Sequence, residues 1–128
     1  MDTKPAALIL VVDDDVRTAR LLARMLREDG FEVELAVDGA AAIGRLARSP
    51  MPDVLVTDLR MPHADGAAVA SYARSRRPGL PVLVVTGYPE LAPHEGDGLD
   101  PPPTVLSKPL DYARLGDELR RLTGRPAG

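Results

Sequence analysis

Five short apolar runs, separated by amphipathic stretches, dominate the pattern of hydrophobic and polar positions along this chain. Runs this short that are rich in valine, leucine and isoleucine are typical of buried strands rather than of helices. The second run alternates apolar and polar residues, which indicates a strand with one wetter face. We therefore predict five strands, at 6–12, 31–37, 54–58, 81–86 and 104–107.

Helical periodicity fills most of the intervals between these strands. Apolar residues recur every three or four positions between Val16 and Asp29, arginines occupy much of the opposite face, and Gly30 follows as a C-terminal cap. Asp65 is predicted to cap a later helix. The predicted helices cover 16–29, 40–48, 66–76 and 111–123. The interval 87–103 holds five prolines and three glycines, which predicts a loop or a short turn in place of a helix.

This alternation of strands and helices is typical of a doubly wound α/β domain. Every interval is long enough for a right-handed crossover between parallel strands. We predict one five-stranded parallel sheet in the order 2-1-3-4-5, a flavodoxin-like arrangement whose fourth helix is shortened or replaced by a loop rich in proline and glycine. The predicted domain covers 7–123, with a lead-in at 1–6 and a tail at 124–128.

Composition excludes several classes of function. The 128 residues carry a net charge of -3, so the chain lacks the basic field expected of a protein that binds nucleic acid directly or an anionic membrane. Without cysteine, neither a disulfide nor a thiolate metal site can form. The longest apolar run, 6–12, is too short to cross a bilayer, and His63 and His94 lie in loop-like stretches, where neither is predicted to be a ligand or a base. We expect a single cytoplasmic domain.

Polar residues follow four of the five predicted strands. Asp13 and Asp14 end the first, Asp58 the third, Thr86 the fourth and Lys108 the fifth. The carboxyl ends of parallel strands meet at one edge of a sheet, and strands one and three flank the switch point of this order, so the three carboxylates are expected to converge. Carboxylates that lie so close repel one another unless a cation neutralises them. Oxygen-only ligands favour Mg²⁺.

Each of these residues also has a plainer interpretation. Taken alone, the acidic run 13–15 would indicate a solvated loop that caps the following helix, and Asp58 would be consistent with a residue that caps a turn. The placement of both after apolar strands favours a shared site instead. Thr86 could be an ordinary strand residue with no role in a site, and Lys108 could be a surface lysine at the end of a strand. The chain has only two lysines among its 16 cationic side chains, so an ammonium here indicates a need for a compact charge beside a carboxylate or phosphoryl oxygen.

Taken together, these motifs resemble those of response-regulator receiver domains. They are Leu-Ile-Leu-Val-Val before Asp13-Asp14, Thr-Asp-Leu-Arg-Met-Pro around Asp58, Val-Val-Thr-Gly around Thr86, and Lys108-Pro109. The resemblance extends over about 7–123. It implies a part in two-component or phosphorelay signalling, and we expect a stand-alone receiver because no effector domain follows residue 123.

The resemblance also implies roles for individual residues. Asp58 would accept a phosphoryl group from a histidine kinase or a histidine phosphotransfer protein, with Lys108 and Thr86 at the phosphoryl oxygens. Mg²⁺ would be held by Asp13, Asp14, Asp58 and the backbone carbonyl of Arg60. The domain would assist its own phosphorylation and dephosphorylation without being an enzyme, and it would switch a surface that binds a downstream protein or a second copy.

Departures from the family pattern concern the output surface. Val105 stands three positions before Lys108, where the family often has an aromatic residue, and 87–103 replaces the usual fourth helix. We therefore expect a rebuilt output surface. In this family, the residues two positions after the acceptor and two after the switch threonine tune dephosphorylation. Here they are Arg60 and Tyr88, which are large enough to shield a phosphoryl group from water, so the resemblance predicts slow autodephosphorylation.

Two functions of other classes compete with the phosphoacceptor interpretation. A docking or dimerisation module with a receiver fold would keep the acidic residues without using phosphorylation, and the altered segment 87–105 favours it. A Mg²⁺-dependent phosphohydrolase of the haloacid-dehalogenase type would carry its nucleophile after the first strand in an Asp-X-Asp-X-Thr/Val pattern. Asp13 and Asp15 are followed by Arg17, so that pattern fails.

Overall fold

A computed structural model of the chain describes residues 6–61, 65–93 and 98–124. It contains a five-stranded parallel sheet in the order β2-β1-β3-β4-β5, which confirms the predicted topology. The strands are β1 Leu8–Val12, β2 Glu32–Ala36, β3 Val54–Asp58, β4 Val82–Thr86 and β5 Thr104–Ser107. Three of them are one or two residues shorter than predicted, because apolar residues extend beyond the paired residues at the start of β1 and β4 and at both ends of β2.

Within the described residues, three α-helices connect strands and a fourth follows β5, and an aspartate caps the start of each. They are α1 Val16–Glu28, α2 Gly39–Leu46, α3 Gly66–Arg76 and α4 Tyr112–Thr123. The aspartate before each helix accepts hydrogen bonds from backbone N–H groups of the first turn, which have no partner within the helix. The prediction that Asp65 caps α3 is confirmed. Gly124 ends α4 in the left-handed conformation, with a φ of 69° that glycine adopts at low cost.

The segment between β4 and β5 carries a single 3-10 turn, Pro89–Leu91, as its regular structure within 87–93 and 98–103. The prediction of a shortened fourth helix is therefore confirmed for the described part of this segment. Ala92 and Leu99 are buried against the sheet, which keeps the segment packed without a helix. Arg74 of α3 also holds it, because its guanidinium donates to the carbonyl oxygen of Pro101 at 2.6 Å.

Two apolar layers cover the sheet. Successive strand residues point to opposite faces, so Ile9 and Val11 pack with α1 and α4, while Leu10 and Val12 pack with α2 and α3. Helices on both faces explain why the strands are nearly continuous in apolar residues. None of the helices in the described parts of the chain is both long and apolar enough to cross a membrane.

The end of α2 differs most from the prediction, since the other helix boundaries agree to within one residue. α2 ends at Leu46, two residues earlier than the predicted limit of 48. The side chain of Arg45 turns back to donate to the carbonyl oxygens of Arg48 and Pro50, at 3.2 and 2.8 Å. These bonds satisfy backbone acceptors outside the helix, so a further helical turn is not needed to pair them.

Candidate functional site

Asp58 is the last residue of β3, and both of its carboxylate oxygens have partners. Oδ1 accepts a hydrogen bond from the backbone N–H of Leu59 at 2.8 Å. Oδ2 lies 3.1 Å from the Nζ of Lys108, and the Asp58 side chain is 13% exposed. The carboxylate is thus held at the carboxyl edge of the sheet, where it remains reachable from solvent.

Lys108 reaches Asp58 because the hydrogen-bond ladder extends past the end of β5. Its backbone N–H donates to the carbonyl oxygen of Thr86 at 2.8 Å, which places its side chain at the same edge of the sheet. Partial burial by itself lowers the pKa of Lys108, but the hydrogen bond to Asp58 and the charges of Asp58, Asp13 and Asp14 raise the pKa above its ordinary value. The ammonium is therefore charged at neutral pH.

Three carboxylates converge here, as the sequence predicted. One oxygen from each of Asp13, Asp14 and Asp58 lies within 4.8 Å of the others. Asp13 is only 7% exposed, and burial is the main reason that its pKa is raised; the charges of Asp58 and Asp14 add to this. The backbone N–H of Asp15 and the charge of Lys108 act in the opposite direction.

This donor set fits a divalent cation. Three carboxylates face one ammonium, so the cluster carries excess negative charge that a small cation would neutralise. All of the side-chain ligands are oxygens, the preference of Mg²⁺ and Ca²⁺. The three-residue cluster leaves part of a coordination sphere to water and phosphate oxygens, as is usual for Mg²⁺.

The acidic run after β1 divides between two roles. Asp13 and Asp14 join the cluster, whereas Asp15 caps α1 by accepting from the backbone N–H groups of Arg17 and Thr18. The Thr18 hydroxyl also donates to Asp15, and this hydrogen bond is the main reason that the pKa of Asp15 is lowered; the two backbone N–H groups lower the pKa further. The plainer interpretation of the run, a helix cap, is thus correct for its third residue.

Thr86 is the last residue of β4 and is 1% exposed. Its hydroxyl oxygen accepts a hydrogen bond from the backbone N–H of Tyr88 at 3.0 Å, which directs the hydroxyl toward the following loop. The structure places Thr86 beside Lys108 along the ladder. The prediction that this hydroxyl contacts a phosphoryl oxygen stays a prediction.

Arg60 and Tyr88 meet above this edge of the sheet. They lie on the loops that follow β3 and β4, and the guanidinium carbon of Arg60 is 4.7 Å from the centre of the Tyr88 ring. This distance is typical of a cation–π contact. The two residues that were predicted to shield the acceptor therefore contact each other. His63 and His94, predicted to be neither ligands nor bases, lie outside the described residues.

A cavity of about 280 Å³ adjoins the carboxylates beside α1. Its apolar lining is chiefly Leu22, Val56, Val85 and Leu110, and its polar lining consists of Asp13, Asp15, Thr18, Thr57, Asp58 and Lys108. Sequence reasoning missed this cavity, because packing density depends on how side chains from four elements meet.

Sequence reasoning also missed two residues that contact the backbone of Asp58. The Thr57 hydroxyl donates to the Asp58 carbonyl oxygen at 2.8 Å. The Cα of Gly66 lies so close that an added Cβ would be 2.2 Å from the same oxygen. Gly66 was interpreted only as the first residue of a helix, and no local pattern signals that it abuts a strand end eight residues earlier.

A family model described as the response regulator receiver domain matches residues 9–120, nearly the whole of the folded chain. The chain belongs to this family. The match covers the acidic cluster, Asp58 and Lys108, so the site described above lies wholly within the family region.

Several relatives extend the assignment. The chain is 40% identical over 118 residues to the response regulator MprA of Mycobacterium avium, covering 91% of this chain and 51% of that protein. It therefore spans about half the length of the curated relatives that it matches. A response regulator receiver protein from Sinorhizobium medicae superimposes with a TM-score of 0.83 at 30% identity, covering 93% of this chain and 95% of the other.

A further structural neighbour contains a metal ion. The receiver domain of the sensor histidine kinase PA1611 from Pseudomonas aeruginosa superimposes with a TM-score of 0.77 at 28% identity, covering 93% of this chain and 98% of that one. Its structure has a magnesium ion coordinated in the active site cleft.

Proposed function

We propose that this receiver domain takes a phosphoryl group onto Asp58 from a phosphohistidine on a histidine kinase or a histidine phosphotransfer protein. The observation that carries the proposal is the surroundings of Asp58. One oxygen is held by the Leu59 N–H, the other faces the Lys108 ammonium, and two further carboxylates lie within 4.8 Å. A carboxylate that only capped a turn would need neither the ammonium nor the acidic neighbours.

The transfer is a displacement at phosphorus. A carboxylate oxygen of Asp58 forms a P–O bond as the P–N bond to the donor histidine breaks, and the electron pair of that bond stays on the imidazole nitrogen, which takes a proton from water. Negative charge is spread over the phosphoryl oxygens during this step. The charged Lys108 lies beside the acceptor and stabilises that charge without moving a proton.

Mg²⁺ is the metal that we assign to the site. Asp13, Asp14 and Asp58 would be its side-chain ligands, with the backbone carbonyl of Arg60 as a further ligand by family analogy. When bound, the ion would neutralise charge on the carboxylates and on the incoming phosphoryl oxygens. The magnesium ion in the related PA1611 domain supports this choice.

The output follows from the charge that the modification adds. A phosphoryl group brings about -1.5 to -2 charge at neutral pH. Thr86 lies at the end of the neighbouring strand, and its hydroxyl is held by the Tyr88 N–H, so a turn of the hydroxyl toward the phosphoryl group would release the loop after β4. We propose that this loop and β5 form the surface that binds a downstream protein or a second copy.

The decisive experiment treats the protein with acetyl phosphate and Mg²⁺ and measures its intact mass. We expect one phosphoryl group per chain, lost in Asp58→Asn and in the presence of EDTA. Asp38→Asn is the matched control, because it makes the same change at the same edge of the sheet and asparagine caps a helix as well as aspartate.

The other outcomes identify the competing functions. A protein that stays unmodified under these conditions would be a docking module with a receiver fold. Rapid release of inorganic phosphate over many turnovers would indicate a hydrolase, against the proposal that the domain is not an enzyme. The cytoplasmic location stays a prediction. The stand-alone receiver also stays a prediction, and the response regulator MprA that the chain resembles is about twice as long as the matched region.

A further inference from the structure

The strand that carries Asp58 contains a buried hydroxyl that the core does not require. Thr57 is 0% exposed, and its register partners in the two neighbouring strands are Val12 and Val84, both buried. A valine would fill the same volume in this row of valines. Burying a hydroxyl costs free energy unless it finds a hydrogen-bond partner, so its presence here calls for a reason.

The partner of this hydroxyl belongs to the phosphoacceptor itself. Thr57 Oγ1 donates to the backbone carbonyl oxygen of Asp58 at 2.8 Å. That carbonyl shares one peptide plane with the N–H of Leu59, and the same N–H donates to Oδ1 of the Asp58 carboxylate at 2.8 Å. Because a peptide group is planar, any tilt of the carbonyl rotates the N–H by the same angle. The hydroxyl and the carboxylate are therefore linked through a rigid unit.

Gly66 closes the other side of this peptide. An added Cβ at Gly66 would lie 2.2 Å from the Asp58 carbonyl oxygen and 3.1 Å from its carbon. The N–H of Gly66 donates to the carbonyl oxygen of Leu59 at 2.8 Å, which ties the start of α3 to the turn. Because Gly66 packs against one side of the Asp58–Leu59 peptide and the Thr57 hydroxyl holds its carbonyl oxygen, this peptide has little freedom to rotate.

We propose that Thr57 is a positioning residue for the phosphoryl transfer. Its hydroxyl orients the Asp58–Leu59 peptide, the peptide N–H holds one carboxylate oxygen, and the other oxygen is thereby kept facing Lys108. The inference rests on the proposed role of Asp58 as the acceptor. Thr57 does not touch the donor; it acts by keeping the attacking carboxylate in a productive orientation, to which displacement rates are sensitive.

Two substitutions at this position separate the hydroxyl from the packing. Thr57→Val removes the hydroxyl and keeps the shape, and it should fold because valines flank the site. Thr57→Ser keeps the hydroxyl. Thr123→Val is the matched control, because its hydroxyl also donates to a backbone carbonyl, that of Leu119 at 2.7 Å, on α4 and away from Asp58.

The first measurement is the phosphorylation rate as a function of acetyl phosphate concentration, with Mg²⁺ saturating. In Thr57→Val we expect the maximal rate to fall about three- to tenfold, the factor that one hydrogen bond contributes, with an unchanged half-saturating concentration. Thr57→Ser should recover most of the rate, and Thr123→Val should match the wild type. A structural defect would lower the melting temperature of the valine variant, which we expect to equal or exceed that of the wild type.

The second measurement does not depend on phosphorylation. The amide proton of Leu59 donates to the carboxylate, so its NMR chemical shift and its exchange rate report on the orientation of the peptide. Thr57→Val should move the shift toward smaller values and speed exchange, and Thr57→Ser should restore both. Wild-type values in the valine variant, or a serine variant as slow as the valine variant, would overturn the proposal. A wild-type protein that takes no phosphoryl group would contradict the proposed function and, with it, the part of Thr57 in the transfer. The Leu59 amide tests separately whether the Thr57 hydroxyl orients the peptide.

Discussion

Gly66→Ala is expected to distort the acceptor site, because Gly66 lies against the backbone of Asp58 although it comes eight residues later in the sequence. Gly66 is the first residue of α3, where alanine would normally favour the helix. An added Cβ would lie 2.2 Å from the carbonyl oxygen of Asp58 and 3.1 Å from the Cα of Leu59. Real Cβ contacts are essentially never shorter than 3.0 Å, so α3 or the turn after β3 must move by about 1 Å.

The cost of this movement can be set against a matched control. Forcing extra volume into a packed site typically costs about 1–3 kcal/mol. Gly44, on the exposed side of α2, has no heavy atom within 4 Å of an added Cβ. Gly44→Ala should therefore stabilise the protein by about 0.5–1 kcal/mol through helix propensity alone. Both substitutions replace glycine by alanine in a helix, and their effects on the free energy of unfolding should be opposite in sign.

Thermal unfolding and phosphorylation are the assays. At roughly 4 °C for each kcal/mol in a domain of this size, Gly66→Ala should lower the melting temperature by about 4–12 °C, and Gly44→Ala should raise it by a few degrees. The folded Gly66→Ala protein should also react more slowly with acetyl phosphate, because the peptide that holds the carboxylate is displaced. A Gly66→Ala protein as stable as the wild type would refute the steric argument.

Three further predictions concern charged groups. Lys108→Met should slow phosphorylation by about 10²-fold, the usual effect of losing one group that stabilises developing charge, and Lys108→Arg should recover little of it. Removing Arg60 and Tyr88 together by alanine should speed loss of the phosphoryl group, because their cation–π contact covers the edge of the site. The hydrogen bond from Arg45 lowers the pKa of Glu34 below its ordinary value of 4.5. The pair therefore stabilises the folded protein above pH 4.5, and this stabilisation is lost as the pH falls through the lowered pKa of Glu34. Glu34→Gln should destabilise the protein by less than about 1 kcal/mol at neutral pH, since Glu34 is half exposed, and the difference should vanish in acid.

Each of these predictions has an outcome that would contradict it. Wild-type phosphorylation in Lys108→Met would mean that the ammonium does not act on the transferred group. Phosphate loss in the double alanine variant no faster than in the wild type would remove the shielding role of Arg60 and Tyr88. A stability difference for Glu34→Gln that persists in acid, below the lowered pKa of Glu34, would show that shape, rather than charge, sets its effect.

The sequence by itself determined the elements, their order and the chemistry at the strand ends. Apolar periodicity is a local property, and the four helix-capping aspartates act on backbone N–H groups within three residues, so both can be inferred from neighbouring positions. The convergence of Asp13 and Asp58 also followed from the sequence, because parallel strands must end at one edge.

Only the tertiary structure decided how the site is held. Asp15 caps a helix while Asp13, two residues earlier, joins the cluster, and the two cannot be told apart by residue type. The packing of Gly66 against Asp58 and the bond from the Thr57 hydroxyl depend on where α3 docks and how one peptide is turned. Distances of a few tenths of an ångström decide such contacts, and they are set by the packing of whole elements rather than by any local pattern.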